Sequence, residues 1–254
     1  MIKNFKESFE KTMLAGAIAA GALDEVEKII KPGISTQKID DICYEYINDH
    51  KAYSAPLYYR GFPKSCCTSA NHVVCHGIPS QKILKEGDIV NVDVTALKNG
   101  WHGDTSRMFK LGEVSVKAEK LIRTTYEAMM KAIKIVKDGI YIGDIGSTIQ
   151  SHVEAQGFSV VQDFCGHGIG QSFHQEPNVL HYGQKGTGEK IFEGMIFTIE
   201  PMINIGNYET KTLNDGWTAV TKDKSLSAQF EHTIGVTKDG CEIFTKSNNS
   251  DLKL

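Results

Sequence analysis

The sequence predicts an α+β fold of two related halves, each a pair of helices laid over an antiparallel sheet. Amphipathic helical stretches occur in pairs and are followed by runs with strand character, twice along the chain. The phrases around them also repeat. Ile-Ile-Lys-Pro-Gly-Ile at 29–34 is echoed by Ile-Val-Lys-Asp-Gly-Ile at 135–140, an offset of 106. Glu86-Gly87-Asp88-Ile89-Val90-Asn91-Val92-Asp93 aligns with Glu193-Gly194-Met195-Ile196-Phe197-Thr198-Ile199-Glu200, an offset of 107. Cys75-His76-Gly77-Ile78 matches Gly166-His167-Gly168-Ile169 at an offset of 91, the difference falling in unequal loops around 53–67. The 254 residues are therefore read as one domain with an internal duplication, approximately 1–110 and 111–254.

In order along the chain, residues 6–31 have helical periodicity that stops at Lys31-Pro32-Gly33. Ser35 or Thr36 can cap a second helix running to about Asp49. The apolar stretch Met13–Ala22 has the look of a signal peptide, but Glu7 and Glu10 interrupt the basic region before it. Leu23, Val26, Ile29 and Ile30 carry the apolar stripe onward, so a core helix is expected. Asn99-Gly100 between Val90–Leu97 and Asp104–Phe109 is a hairpin signal. In the second half a helix is expected near 144–156, and Ile196–Ile203 and Gln229–Val236 are the equivalent strands, joined by an excursion that holds Trp217.

Composition narrows the function classes. At 41% hydrophobic and 23% charged, the chain has an ordinary soluble composition and enough length for a large core. A net charge of -3 and a pI near 6.3, with no long run of like charge, recommend neither nucleic acid nor an anionic membrane as partner. No segment is long enough to span a bilayer. Six cysteines without CxxC or zinc-ribbon spacing point to reduced thiols in the cytoplasm, and a monomer acting on a small or peptidic substrate is expected.

Asp93, Asp104, His167, Glu200 and Glu231 lie in the contexts VNVDVT, HGDTSRMF, CGHGIGQSFH, FTIEPM and QFEHTIG, apolar or Gly-flanked surroundings of which four lie within or beside buried-strand patterns. An unpartnered carboxylate there costs several kcal/mol or is driven neutral, a penalty that a cation removes. Four carboxylates and one imidazole form a hard, mostly oxygen donor set suited to divalent Mn, Fe, Co or Zn, and their charge suggests two ions. The Gly-rich stretch 166–170 lacks the Lys-Ser/Thr of a P-loop and is not read as a phosphate site. His72, His102, His152, His181 and His232 are read as surface or core residues, with His102 nearest the metal pocket.

Seven ordered segments carry a closer resemblance: Val-Cys-His-Gly-Ile-Pro (74–79), Val-Asn-Val-Asp-Val-Thr (90–95), Gly-Asp-Thr-Ser-Arg-Met-Phe (103–109), Gly-His-Gly-Ile-Gly (166–170), Phe-His-Gln-Glu-Pro (173–177), Ile-Glu-Pro (199–201) and Phe-Glu-His-Thr (230–233). With these the chain resembles the type I methionine aminopeptidases, of the pita-bread metallopeptidases, over nearly its whole length. The resemblance implies a curved antiparallel sheet whose halves are related by a pseudo-twofold. It implies that Asp93 chelates one of two divalent ions (Co, Mn, Fe or Zn), that Asp104 and Glu231 bridge both, and that His167 and Glu200 complete the second. A shared water then has its pKa lowered toward neutrality and supplies the nucleophile.

By the same resemblance Glu200 shuttles the proton, His76 hydrogen-bonds the scissile amide nitrogen, and His174 steadies the carbonyl oxygen. Tyr59, Phe62, Cys67, Phe173 and Trp217 would line a slot for an unbranched methionine side chain. Where relatives carry Cys, His and Tyr, this chain has Pro56, Arg60 and Phe62, which bears on the pocket rim. The implied activity is removal of the initiator methionine from nascent polypeptides with a small uncharged second residue, with transient ribosome contact. A prolidase would need an additional N-terminal domain, and a non-catalytic binding module would not need the five ligands.

Overall fold

The computed structural model describes residues 5–247. Helix α1 (Phe5–Ile29) is followed by α2 (Thr36–Asp49), whose first turn is capped by Ser35 Oγ accepting from Lys38 N–H at 3.2 Å. Next come β1 (Tyr53–Ser54), a 3-10 turn (Tyr59–Gly61), β2 (Cys67–Ala70), β3 (Val73–Cys75) and the hairpin β4 (Ile89–Lys98) and β5 (Trp101–Lys110). The second half runs α3 (Val116–Ile135), α4 (Ile142–Ala155), β6 (Ser159–Val160), β7 (Gly166–Gly168), β8 (Gln175–Val179), β9 (Ile196–Ile199) and β10 (Met202–Asn204). It closes with β11 (Thr210–Thr212), β12 (Ala219–Thr221), β13 (Ser227–Gln229), β14 (Glu231–Val236) and β15 (Cys241–Ile243).

A nine-stranded sheet in the order β1-β4-β5-β14-β9-β7-β8, with β2 against β4 and β15 against β14, forms the centre. All its strand pairings are antiparallel among the described residues. The helices supply two apolar cores. Leu23, Ile39 and Ile47 of the first pair pack with Val90, Val92 and Val94, while Leu121, Met129, Ile145 and Ile149 of the second pack with Phe197, Ile199 and Ile234. Alternation along each strand therefore sends one set of side chains under the helices and leaves the other for the opposite face.

The small residues of α1 have a packing reason. A Cβ on Gly103 of β5 would stand 2.2 Å from Gly16 N and 2.5 Å from Gly16 Cα, so helix and strand meet backbone to backbone one residue before Asp104. Among the described residues no helix is long and apolar enough to cross a membrane.

One expectation needs correction. Ile196–Ile203 and Gln229–Val236 are each interrupted: β9 gives way at Glu200-Pro201 to β10, and β13 gives way at Phe230 to β14. Pro201 has no N–H to donate to a ladder, so the strand cannot continue in register. Beyond the break β10 and β13 pair with each other in a separate three-stranded sheet with β6 (Met202↔Gln229, Ile203↔Ala228). The first hairpin runs ten paired residues without interruption through Asn99 (φ 52°) and Gly100 (φ 79°), the positive-φ pair that a tight hairpin turn requires.

Candidate metal centre and cavity

Register places the acids. Cys67 pairs with Asp93, Asp93 with Ser106, and Ser106 with Glu231, so these side chains form one row across β2, β4, β5 and β14. Asp104 lies two residues along from Ser106, opposite Thr95, and so on the same face. Asp93, Asp104, His167, Glu200 and Glu231 all border one cavity of about 410 Å³. His76, His174, Tyr59, Phe62, Cys67, Phe173 and Trp217 border it too.

The floor is a set of acceptors facing acceptors. His167 Nε2 is 3.7 Å from Asp104 Oδ2 and 3.7 Å from Glu200 Oε1, while its Nδ1–H donates to Gly168 O at 3.1 Å. That bond fixes the tautomer and leaves the Nε2 lone pair toward the carboxylates, as in a metal-ligating histidine. Burial holds His167 neutral, its pKa lowered to about 4. Glu231 Oε1 is buried with no hydrogen-bond partner. Burial raises Asp93 to about 7 and Glu200 to about 8, and pushes Asp104 and Glu231 well above the carboxylate range, neighbouring acids adding to the last two. Ligand atoms of Asp104, His167 and Glu231 lie within 4.8 Å of one another. An orphaned carboxylate oxygen, an outward imidazole lone pair and crowded buried acids are the condition that a divalent cation relieves, so the donor set fits one.

Residues around the floor orient it. Thr95 Oγ1 donates to Asp104 Oδ1 at 2.7 Å, Thr198 Oγ1 to Glu200 Oε1 at 2.8 Å, and Gln229 Nε2 to Glu200 Oε2 at 3.2 Å. Glu200 N–H donates to His181 Nε2 at 3.1 Å, and His181 is wholly buried and held neutral. None of these four was singled out from sequence as part of the site. For Thr95, Thr198 and Gln229 the signal was present: each is a polar residue two positions in sequence from one of the acids. His181 had none, because its contact is made through the fold.

The walls are aromatic. Phe62 and Trp217 meet edge-on at 5.2 Å, and His76 stands edge-on to Phe164 at 5.4 Å and to Trp217 at 6.2 Å. His76 occupies left-handed backbone, φ 56°, a conformation retained where surrounding structure imposes it. His174 Nδ1 lies 3.1 Å from the Tyr59 hydroxyl, and its ring is 4.2 Å from that of His167. Burial, then the neighbouring His167, lowers its pKa to about 3. His102 lies one layer back: it stacks on Phe173 at 5.5 Å and pairs through Nδ1 with Gly170 O.

The family model of metallopeptidase family M24 matches residues 10–238. The chain is 57% identical to a methionine aminopeptidase of Rickettsia prowazekii over 95% of its own length and 94% of the relative's. It is 55% identical to that of Escherichia coli K12, covering 94% and 91% respectively. The crystal structure of the Rickettsia prowazekii enzyme superposes with a TM-score of 0.94 over 95% of this chain and 98% of that one. A prolidase from Pyrococcus furiosus, at 22% identity, shares the fold with a TM-score of 0.76 over 96% of this chain and 65% of that one. The curved antiparallel sheet under paired helices, the pita-bread fold, is thus borne out.

Proposed function

The chain belongs to metallopeptidase family M24 and is an aminopeptidase for N-terminal methionine, and we propose that the acid-lined cavity is where the bond is cut. The observation that carries this is the floor itself, where His167 Nε2 faces two carboxylate oxygens at 3.7 Å and Glu231 Oε1 has no partner. Asp93, Asp104, His167, Glu200 and Glu231 would hold two divalent ions, Asp104 and Glu231 being shared. Bound there, such cations supply Lewis acidity toward a carbonyl and bring the pKa of water near neutrality.

The chain's own groups do the rest. On this reading Tyr59 O–H donates to His174 Nδ1, 3.1 Å away, which would leave the proton of a neutral imidazole on Nε2 as a donor for the scissile carbonyl oxygen. His76, also kept neutral by burial, hydrogen-bonds the scissile amide nitrogen. Glu200 receives and returns the proton on its carboxylate, held in place by Thr198 and Gln229. The methionine side chain enters among Tyr59, Phe62, Cys67, Phe173 and Trp217, whose rings and thiol suit a slim polarizable thioether. The second residue would be small and uncharged, in keeping with Phe164 and Trp217 standing edge-on to His76.

The polypeptides are nascent ones, met by a monomer in the cytoplasm with transient ribosome contact. All six cysteines are unpaired, in keeping with a reducing compartment. Metal-free protein should release methionine from Met-Ala-Ser after addition of Mn, Co, Fe or Zn and leave Leu-Ala-Ser intact. Release without metal, or equal release of leucine, contradicts the reading.

A further inference from the structure

Five acids border the cavity, Asp93, Asp104, Asp163, Glu200 and Glu231, and among the described residues Arg60 is the one lysine or arginine that does so. Arg60 lies in a turn where Tyr58 (φ 66°), Arg60 (φ 48°) and Gly61 (φ 88°) all occupy left-handed backbone. Tyr58 N–H donates to Phe62 O at 2.8 Å and Tyr59 N–H to Pro56 O at 2.9 Å, which pins the turn. Non-glycine residues keep such conformations where the surroundings impose them, and they cluster at binding sites.

The turn lays the guanidinium carbon 5.3 Å from the centre of the Tyr59 ring, on the wall that carries His174. Arg60 is exposed and makes no ion pair or side-chain hydrogen bond with a described residue, so its five donors are uncommitted. The exposed acid at the mouth differs in both respects. Asp163 Oδ2 already accepts from Thr210 at 2.5 Å, and its neighbour Phe164 packs on His76, on the other side of the reacting bond.

We infer that Arg60 determines specificity, favouring polypeptides with a carboxylate at the third or fourth position. This rests on the aminopeptidase reading above. With the methionine side chain in the aromatic slot and the scissile amide between His76 and His174, the following residues of an extended chain advance about 3.5 Å each toward the mouth. There a planar guanidinium can take a carboxylate through two parallel hydrogen bonds. The site is solvated, so the expected preference is modest, about fivefold for Glu over Lys.

The test compares kcat/KM of the metal-loaded protein on Met-Ala-Glu-Ala, Met-Ala-Gln-Ala and Met-Ala-Lys-Ala amides, and on the set with the varied residue fourth. Wild type should rank Glu over Gln over Lys at one of the two positions, and the ratio should shrink in 0.5 M salt, roughly a 4 Å Debye length. The Glu/Lys ratio should fall to about one in Arg60→Gln and invert in Arg60→Glu, while Asp163→Asn should leave it or widen it. Turnover of the Gln peptide with a Glu/Lys ratio that is flat, or unaltered by Arg60→Gln, overturns the role of Arg60 alone. Failure to cleave even the Gln peptide overturns the aminopeptidase reading and this inference with it.

Discussion

The two strand pairs that meet at the cavity differ in continuity and in the length of the acids they carry. β4 and β5 run ten residues each in unbroken register around Asn99-Gly100 and present two short acids, Asp93 and Asp104. The second pair is cut at Glu200-Pro201 and at Phe230, and presents the longer Glu200 and Glu231. An unbroken ladder fixes the backbone beneath the first pair of carboxylates, and Thr95 orients Asp104 from within it. A broken one lets β10 and β13 diverge into a second sheet, and Met202 and Gln229 from those strands become walls of the cavity. Both halves thus contribute acids to the floor, the first from a continuous hairpin and the second with longer side chains beside a break. We propose that both halves descend from one duplicated unit.

The largest expected effect comes from disturbing the rigid half. Gly103→Val would drive a side chain into the Gly16 backbone, which cannot yield as a side chain can. A loss of about 3 kcal/mol or more is expected, seen as little soluble protein or a large drop in Tm. A folded, active Gly103→Val protein would show that the unbroken hairpin is not held by this contact.

Next in size are the ligands. Asp104→Ala should lower kcat/KM on Met-Ala-Ser by at least about a thousandfold, with circular dichroism unchanged, since on the proposed reading the residue would hold the cation that stabilises the transition state. Retained activity would remove Asp104 from the floor.

The orienting hydroxyls offer a matched comparison between halves. Thr95→Val removes the donor to Asp104, and Thr198→Val one of two donors to Glu200. Each should weaken divalent-ion binding by calorimetry about 10- to 100-fold. The Thr95 variant should suffer more, because Gln229 still holds Glu200.

The smallest effect is electrostatic and is read without metal. Burial and neighbouring acids raise the Glu231 pKa in the folded state well above its unfolded value. Its contribution to stability is therefore fully present below about pH 4.3, the ordinary value, and is lost as pH rises toward the folded pKa. Glu231→Gln removes that titration. The metal-free variant should melt a few degrees above metal-free wild type at pH 8 and match it near pH 4. A difference independent of pH would mean that Glu231 is not a strained acid.

Much of this was legible in the chain. The five ligand candidates, both helix pairs and the first hairpin follow from apolar periodicity interrupted by acids, capping residues and Asn99-Gly100. The breaks at Pro201 and Phe230 do not stand out, although Pro201 carries the signal, because apolar residues flank both of them and periodicity does not say which sheet a strand joins. His181 reaches Glu200 by a contact that only the fold creates. The left-handed turn at Arg60 likewise rests on hydrogen bonds among 56–62 that no residue pattern announced.

Native mass spectrometry of the protein titrated with Mn or Co tests the central claim most directly. Wild type should fill to two ions per chain, and Asp104→Ala combined with Glu231→Ala should hold none at the same concentrations. Saturation of wild type at fewer than two ions, or undiminished loading of the double variant, would contradict the assignment of these residues as the shared ligands of a two-ion floor.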